Sequence, residues 1–331
     1  MIELAAIYTG IPNLMADLDR SIPTAVVGQP DKSALHQVDR YMHEAIASLS
    51  ATPAREAALY HLQTGGNKMR ARLAIASGAI TLDARDGTTA AAACELLHNA
   101  SLVHDDISDQ DRYRRGELTV QARYGVDVAL CTGTLLLTAA FNAATDIHDA
   151  DTSRHLVRAL AMQAGRVIGG QSVELGPDPR GRTPNRRHYL KATRAKTAPL
   201  IELPMSVGFV GATGRQAEID VCRTLSEAIG LAYQILDDLD DVKPTRPGTG
   251  AEQFHVLHAW RHHQPPNRDA DSQVIFRRCL THVGAALARA DRLAIALPKP
   301  LDECVRELIE TLTRKAERAF AEHAGRISGG D

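Results

Sequence analysis

Leu96-Leu97-His98-Asn99-Ala100-Ser101-Leu102-Val103-His104-Asp105-Asp106-Ile107-Ser108-Asp109 is an apolar, helix-friendly run that ends in three carboxylates. On an α-helix Asp105 and Asp109 lie one turn apart on one side, where like charges are destabilising unless a cation neutralises them. A second stretch, Gly230-Leu231-Ala232-Tyr233-Gln234-Ile235-Leu236-Asp237-Asp238-Leu239-Asp240-Asp241, repeats the arrangement, with Asp237 and Asp241 again one turn apart. Hard oxygen clusters of this kind suit Mg²⁺, held by one or two carboxylates plus waters and substrate phosphate oxygens. One Asp-Asp-x-x-Asp also fits an acidic turn on a solvated helix face. Two copies, each at the polar end of an apolar run, predict a diphosphate cage between facing helices.

The surrounding composition fits such a bundle. At 331 residues, 44% hydrophobic and 24% charged, the chain has the length of one large domain or two small ones. We expect a single domain over 1–331, with a loose arm over 1–32, punctuated by Pro12, Pro23, Gly28 and Pro30, and a frayed tail over 325–331. A formal charge of −2 gives no general field for nucleic acid or anionic membrane. Cys94, Cys131, Cys222, Cys279 and Cys304 are dispersed without a Cys-x-x-Cys pair, which predicts reduced, buried thiols and a cytoplasmic protein. The first twenty residues show no secretory or transit pattern. The uncharged run Val128–Thr145 contains Gly133 and several Thr or Asn residues, so we expect a core helix buried on most sides and no transmembrane segment.

Helical periodicity recurs along the chain. Leu35, Val38, Tyr41, Met42, Ile46 and Leu49 step by three and four through 33–50, and further helices are expected at 53–62, 88–109, 152–175, 215–241, 273–297 and 301–323. Gly65-Gly66-Asn67-Lys68-Met69-Arg70 opens another, either as a cradle for a diphosphate on backbone amides and cations or as an ordinary helix start. Pro199 and Pro204 predict a kink or break. Trp260-Arg261-His262-His263 lacks a ligand set at metal spacing. With no strand alternation, Rossmann glycine pattern or repeat, the expected architecture is an all-α bundle around a deep central cavity.

The two carboxylate stretches, with Arg114-Arg115-Gly116 after the first and Lys196-Thr197 between them, resemble the trans-isoprenyl diphosphate synthases of the polyprenyl synthetase family. The resemblance runs from about Gly65 to Asp241 and implies head-to-tail condensation of an allylic diphosphate with isopentenyl diphosphate. It implies that Asp105, Asp106, Asp109, Asp237, Asp238 and Asp241 hold about three Mg²⁺ ions. Gly65, Gly66 and Arg70 match the element that grips isopentenyl diphosphate, while Asn67 replaces a cation and Lys68 an arginine. His98 and Arg115 are implied on the same substrate and Arg114 on the allylic diphosphate; Gln171 matches the family's Gly-Gln-x-x-Asp as a substrate-binding residue, and Glu174 departs from its aspartate by one methylene.

By the same resemblance Lys196, Thr197 and Gln234 border the nascent cation. Lys196 could instead pair with a surface acid such as Glu202, and His98 could be a core histidine bonded to a carbonyl. The family's closing Gly-Lys loop has Ala251 at the lysine position, with Lys243 and Arg246 the nearest cations. Ala100 and Ser101 stand where an aromatic residue would stop a growing chain early, so the implied product is longer than farnesyl, namely geranylgeranyl diphosphate. The resemblance also implies a homodimer. A terpene-cyclase-like lyase and a regulatory subunit of a heteromeric synthase are the alternatives; retention of Arg70, His98 and Arg115 argues against the first, and the six carboxylates against the second.

Overall fold

Capping residues set the helix starts. Thr52 accepts from the Arg55 amide ahead of a proline at the first helical position, and Asp83, Thr119 and Asn185 cap three further helices in the same way. The computed structural model describes residues 32–175, 185–240, 256–261 and 268–328. They form α1 (Lys32–Ala47), α2 (Pro53–Gln63), α3 (Met69–Gly78), α4 (Ala84–Asp109), β1 (Tyr113–Arg114), β2 (Glu117–Leu118), α5 (Val120–Tyr124), α6 (Val126–Thr145) and α7 (Ala150–Leu175). There follow α8 (Arg186–Thr197), α9 (Pro199–Ser206), α10 (Gln216–Asp240), α11 (Val256–Arg261), α12 (Arg268–Ala294) and α13 (Leu301–Ser328). The N-terminal arm, the 176–184 loop, Asp241, Lys243, Arg246, Ala251, His262 and His263 lie outside the described residues.

Among the described residues the chain is all-α apart from one hairpin. Tyr113 pairs with Leu118 and Arg114 with Glu117 around an Arg115-Gly116 turn, both at positive φ. Strands of two residues are too short to leave an alternating pattern, so the hairpin has no signature in the residue pattern. Of the tail expected over 325–331, residues up to Ser328 belong to α13 and the last three lie outside the described residues.

Helix α4 is the axis. Ala90 to Ala93, Leu96, Leu97, Ala100 and Val103 are all buried, and the small side chains let α1, α3, α6 and α9 close around it. A second apolar cluster joins α10, α12 and α13 through Leu225, Ile229, Ile235, Cys279, Val283 and Val305. Helix α9 packs against both α4 and α10, and α8 packs against α7 and α10. The polar ends of the two carboxylate helices therefore border the same interior space. At the α7–α8 crossing, a Cβ on Gly170 would lie 2.5 Å from the Lys196 amide nitrogen, so only glycine allows the approach that brings Lys196 inward.

The proline expectation is met by a break. Helix α8 ends at Thr197, Pro199 opens α9, and Pro204 is carried inside it. Helix α6 departs from expectation: Ala129, Thr132, Leu136, Ala140 and Ala143 pack inward, but Val126, Leu130, Cys131, Thr134 and Thr138 face out. Cys131 is thus exposed, whereas the other four cysteines are buried as expected. By length and composition α6 could cross a membrane, against the expectation from its threonines, but its inner face is packed on α4.

Candidate active site

The first acidic turn is held from below. After Asp109, Gln110 turns left-handed, the Asp111 amide bonds back to the Asp106 carbonyl at 3.0 Å, and Gln121 of α5 donates to the same carbonyl. This ties the hairpin under the helix end and delivers Arg114, whose Nε and Nη2 both lie 2.7 Å from Asp106 Oδ1. Asp106 is 1% exposed. Expected as a metal ligand, it is paired here with Arg114 through Oδ1, because one residue past Asp105 on a helix points about 100° away.

Asp105 and Asp109 face the other way, toward Lys196. Its ammonium is 3.5 Å from Asp105 and 3.2 Å from Glu174. Burial pushes the Asp105 carboxyl up to about 6, with Lys196 opposing the shift and Asp109 adding to it. Asp109, though more open to solvent, is driven in the same direction by desolvation. Burial works against the Lys196 charge, but Asp105, Glu174 and Asp109 outweigh it and hold the ammonium above its ordinary value. The alternative partner Glu202 is occupied by Arg166 at 2.5 Å and Arg223 at 3.6 Å.

The second turn mirrors the first. Asp238, expected as a ligand, accepts from Tyr189 at 2.8 Å, the Val256 amide at 3.0 Å and Gln234 Nε2 at 2.9 Å. Thr197 Oγ1 donates to Gln234 Oε1 at 3.1 Å. A continuous polar path thus joins the two turns, from Asp105 through Lys196-Thr197 and Gln234 to Asp238. Asp237 meets Lys315 of α13 at 3.1 Å, and the same ammonium lies 2.8 Å from Asp240.

A basic side closes the space. His98 Nε2 accepts from Arg70 Nη1 at 3.0 Å, and burial with nearby arginines holds this imidazole neutral, well below its usual pKa. A Cβ on Gly66 would lie 2.8 Å from the Arg115 guanidinium, so the glycine seats that side chain directly over the backbone. At the amide cradle expected before α3, the Met69 amide bonds to Asn67 Oδ1 at 3.2 Å and the Ala71 amide to buried Glu95 at 2.9 Å, so these two amides are already taken. Lys68 is turned away from this group and pairs with Asp39 of α1 at 2.6 Å.

Beside Asp105 a cavity of about 490 Å³ runs between α4, α6 and α7, lined by Leu97, Ala100, Ser101, His104, Leu137 and Val167. Gln171 borders it with both amide atoms buried and unpartnered, and Arg70 Nε, His98 Nδ1 and Asp106 Oδ2 are also buried without partners. Such orphaned groups call for a polar ligand. Among the described residues no three acids converge to chelate an ion unaided. Mg²⁺ does not require that, since it keeps waters and shares substrate phosphates. The desolvated carboxylates of Asp105 and Asp109 and the more open one of Asp237, each with an ammonium on or beside it, fit a hard cation.

Residues 52–253 match the polyprenyl synthetase family model. The chain belongs to the polyprenyl synthetase family. It is 32% identical over 205 residues to the short chain isoprenyl diphosphate synthase of Methanothermobacter thermautotrophicus, covering 62% of this chain and 63% of that one. It is 31% identical over 209 residues to the farnesyl diphosphate synthase of Bacillus subtilis, covering 59% of this chain and 69% of that protein. The fold is similar to that of the geranylgeranyl pyrophosphate synthetase from the archaeon Geoglobus acetivorans, with a TM-score of 0.72 at 22% identity over 85% of this chain and 98% of that one.

Three residues of this polyprenyl synthetase family site escaped the sequence reading. Lys315 is one cation among several on an amphipathic helix, and only the fold brings it to Asp237. His61, 3% exposed, is pushed down to about 4 by burial and by Arg114 and Arg115. Glu95 was legible, because a carboxylate inside an Ala-Leu run needs a buried partner.

Proposed function

We propose that the protein is a prenyltransferase that condenses an allylic diphosphate with isopentenyl diphosphate, head to tail, and releases diphosphate. The observation that carries this reading is the polar path from Asp105 through Lys196-Thr197 and Gln234 to Asp238, which puts both acidic turns around one lysine beside an apolar cavity.

Asp105, Asp109 and Asp237 would hold Mg²⁺, which supplies charge neutralisation at a departing diphosphate. Lys196, held by carboxylates in the free protein, exchanges them for phosphate oxygens of the leaving group. Arg114, fixed by Asp106, adds a guanidinium to the same group. Arg70 and Arg115 bind the second diphosphate, and neutral His98 orients Arg70 without adding charge. The Thr197 carbonyl and the Gln234 amide line the carbon that develops positive charge. The cavity takes the allylic tail, and Ala100 and Ser101 leave it open near the mouth, which supports geranylgeranyl diphosphate as product.

The outward apolar face of α6, with Leu130 48% exposed, supports a homodimer, and the free cysteines fit a reducing compartment such as the cytoplasm. The test is incubation with Mg²⁺ and labelled allylic diphosphates, with and without isopentenyl diphosphate, and identification of products by mass. Lengthened diphosphates support elongation. A hydrocarbon formed without isopentenyl diphosphate would replace this reading with cyclisation, and no product would favour a regulatory subunit.

A further inference from the structure

Helix α8 has two faces with different chemistry. Tyr189, Thr193 and Thr197 point inward, with Lys196 turned to Asp105 and Glu174. Arg187, Lys191 and Arg194 form a stripe at spacings of four and three on the opposite, exposed side. The helix carries five Arg or Lys in twelve residues and no carboxylate. The chain as a whole has a formal charge of −2, so this is a local concentration of charge and not a general basicity.

These side chains line a groove of about 790 Å³ between α7 and α8, together with Arg166, Arg186 and Leu190. Arg166 is neutralised by Glu202, and Arg186 lies over the Trp260 ring at 5.3 Å. Arg187, Lys191 and Arg194 have no carboxylate partner among the described residues. Like charges at helical spacing destabilise one another, so a face of this kind is stabilised when an anion sits on it.

We propose that this groove is a second anion site, separate from the candidate active site, that takes a ligand bearing two or more linked or closely spaced phosphates. The forked guanidiniums of Arg187 and Arg194 match phosphate oxygens two at a time, and Lys191 between them adds a mobile ammonium. A groove of this volume has the size of a small-ligand site, and Leu190 gives it an apolar wall. The same chemistry is presented by a free oligophosphate and by phospholipid headgroups.

The test uses the full chain in chelator, with inorganic tripolyphosphate by calorimetry and, separately, sedimentation with phosphatidylglycerol vesicles against neutral phosphatidylcholine vesicles. An Arg70→Gln/Arg114→Gln/Arg115→Gln/Lys196→Gln background removes the four cations assigned to the two diphosphates of the candidate active site, so the result does not depend on the prenyltransferase reading. Binding is expected to survive in that background, to weaken with salt, and to fall at least about tenfold in Arg187→Gln/Lys191→Gln/Arg194→Gln. These three residues are exposed and outside the catalytic machinery, so the triple variant is expected to keep its melting temperature and its turnover. Binding of tripolyphosphate alone identifies a free ligand, and binding of anionic vesicles alone identifies a headgroup site. No binding in either arm, or equal binding by the folded triple variant, overturns the proposal.

Discussion

The ammonium of Lys315 lies 3.1 Å from Asp237 Oδ1, so the first carboxylate of the second acidic turn carries a protein cation in the free chain. A divalent ion entering there must displace it. Lys315→Met is therefore expected to tighten Mn²⁺ binding several-fold in a titration followed by electron paramagnetic resonance. The metal-free variant should lose no more than about 1 kcal/mol, since the pair is partly exposed and screened. Equal Mn²⁺ affinity in the two proteins would show that Asp237 is not a ligand.

His61 supplies a pH dependence with a definite sign. Its folded pKa, about 4, lies below the ordinary imidazole value, so the unfolded chain binds the extra proton first. The stability from a neutral His61 is complete above about pH 6.5 and is lost as pH falls toward 4, by an amount on the order of 3 kcal/mol. Denaturant melts between pH 7 and 4.5 should show His61→Gln losing less stability on acidification than the wild type. Parallel curves would mean that the imidazole is solvated or already charged.

Arg70 donates to His98 at 3.0 Å and keeps a buried, unpartnered Nε. Arg70→Gln removes a charge-assisted contact of about 1.5–3 kcal/mol. The KM for isopentenyl diphosphate should rise roughly 10–100-fold, with the KM for the allylic substrate little changed. A rise confined to the allylic substrate would reverse the assignment of the two diphosphate sites.

The helices and both acidic turns were legible because their signals are local: apolar residues at steps of three and four, and Asp pairs one turn apart. The roles within each turn were not. Six aspartates look alike in sequence, and that Asp106 meets Arg114 while Asp238 meets Tyr189 and Gln234 is decided only by the docking of the hairpin and of α8. Lys68, read as a substrate cation, likewise meets Asp39 of α1, a contact between distant stretches of chain that local sequence does not show. The outward face of α6 was misread because a uniformly apolar helix does not distinguish core from interface.

That face gives a prediction about assembly. Leu130 and Cys131 are exposed on α6, and Met162 on α7 is 61% exposed. Leu130→Glu should shift the protein to monomer in sedimentation velocity without unfolding it, because the residue is not part of the packed core. Alkylation of Cys131 should be slow in the dimer and fast in the variant. Rapid labelling of a wild-type dimer would place the interface elsewhere.

The cavity beside Asp105 gives the sharpest prediction about chemistry. Ala100 is buried and its side chain forms part of the cavity wall facing Leu137 and Val167. Replacing its methyl with a benzyl group fills space that a growing prenyl tail would otherwise enter, one turn and a fraction below the acidic turn. Because the new ring enters a cavity and not close-packed core, the cost in stability should stay within about 1–3 kcal/mol. Ala100→Phe should therefore fold and turn over, but with products shortened by one five-carbon unit or more, as read by mass spectrometry. Leu97→Ala, deeper along the same wall, should lengthen them. If both variants fold and keep the wild-type product distribution, the growing chain does not run through this cavity.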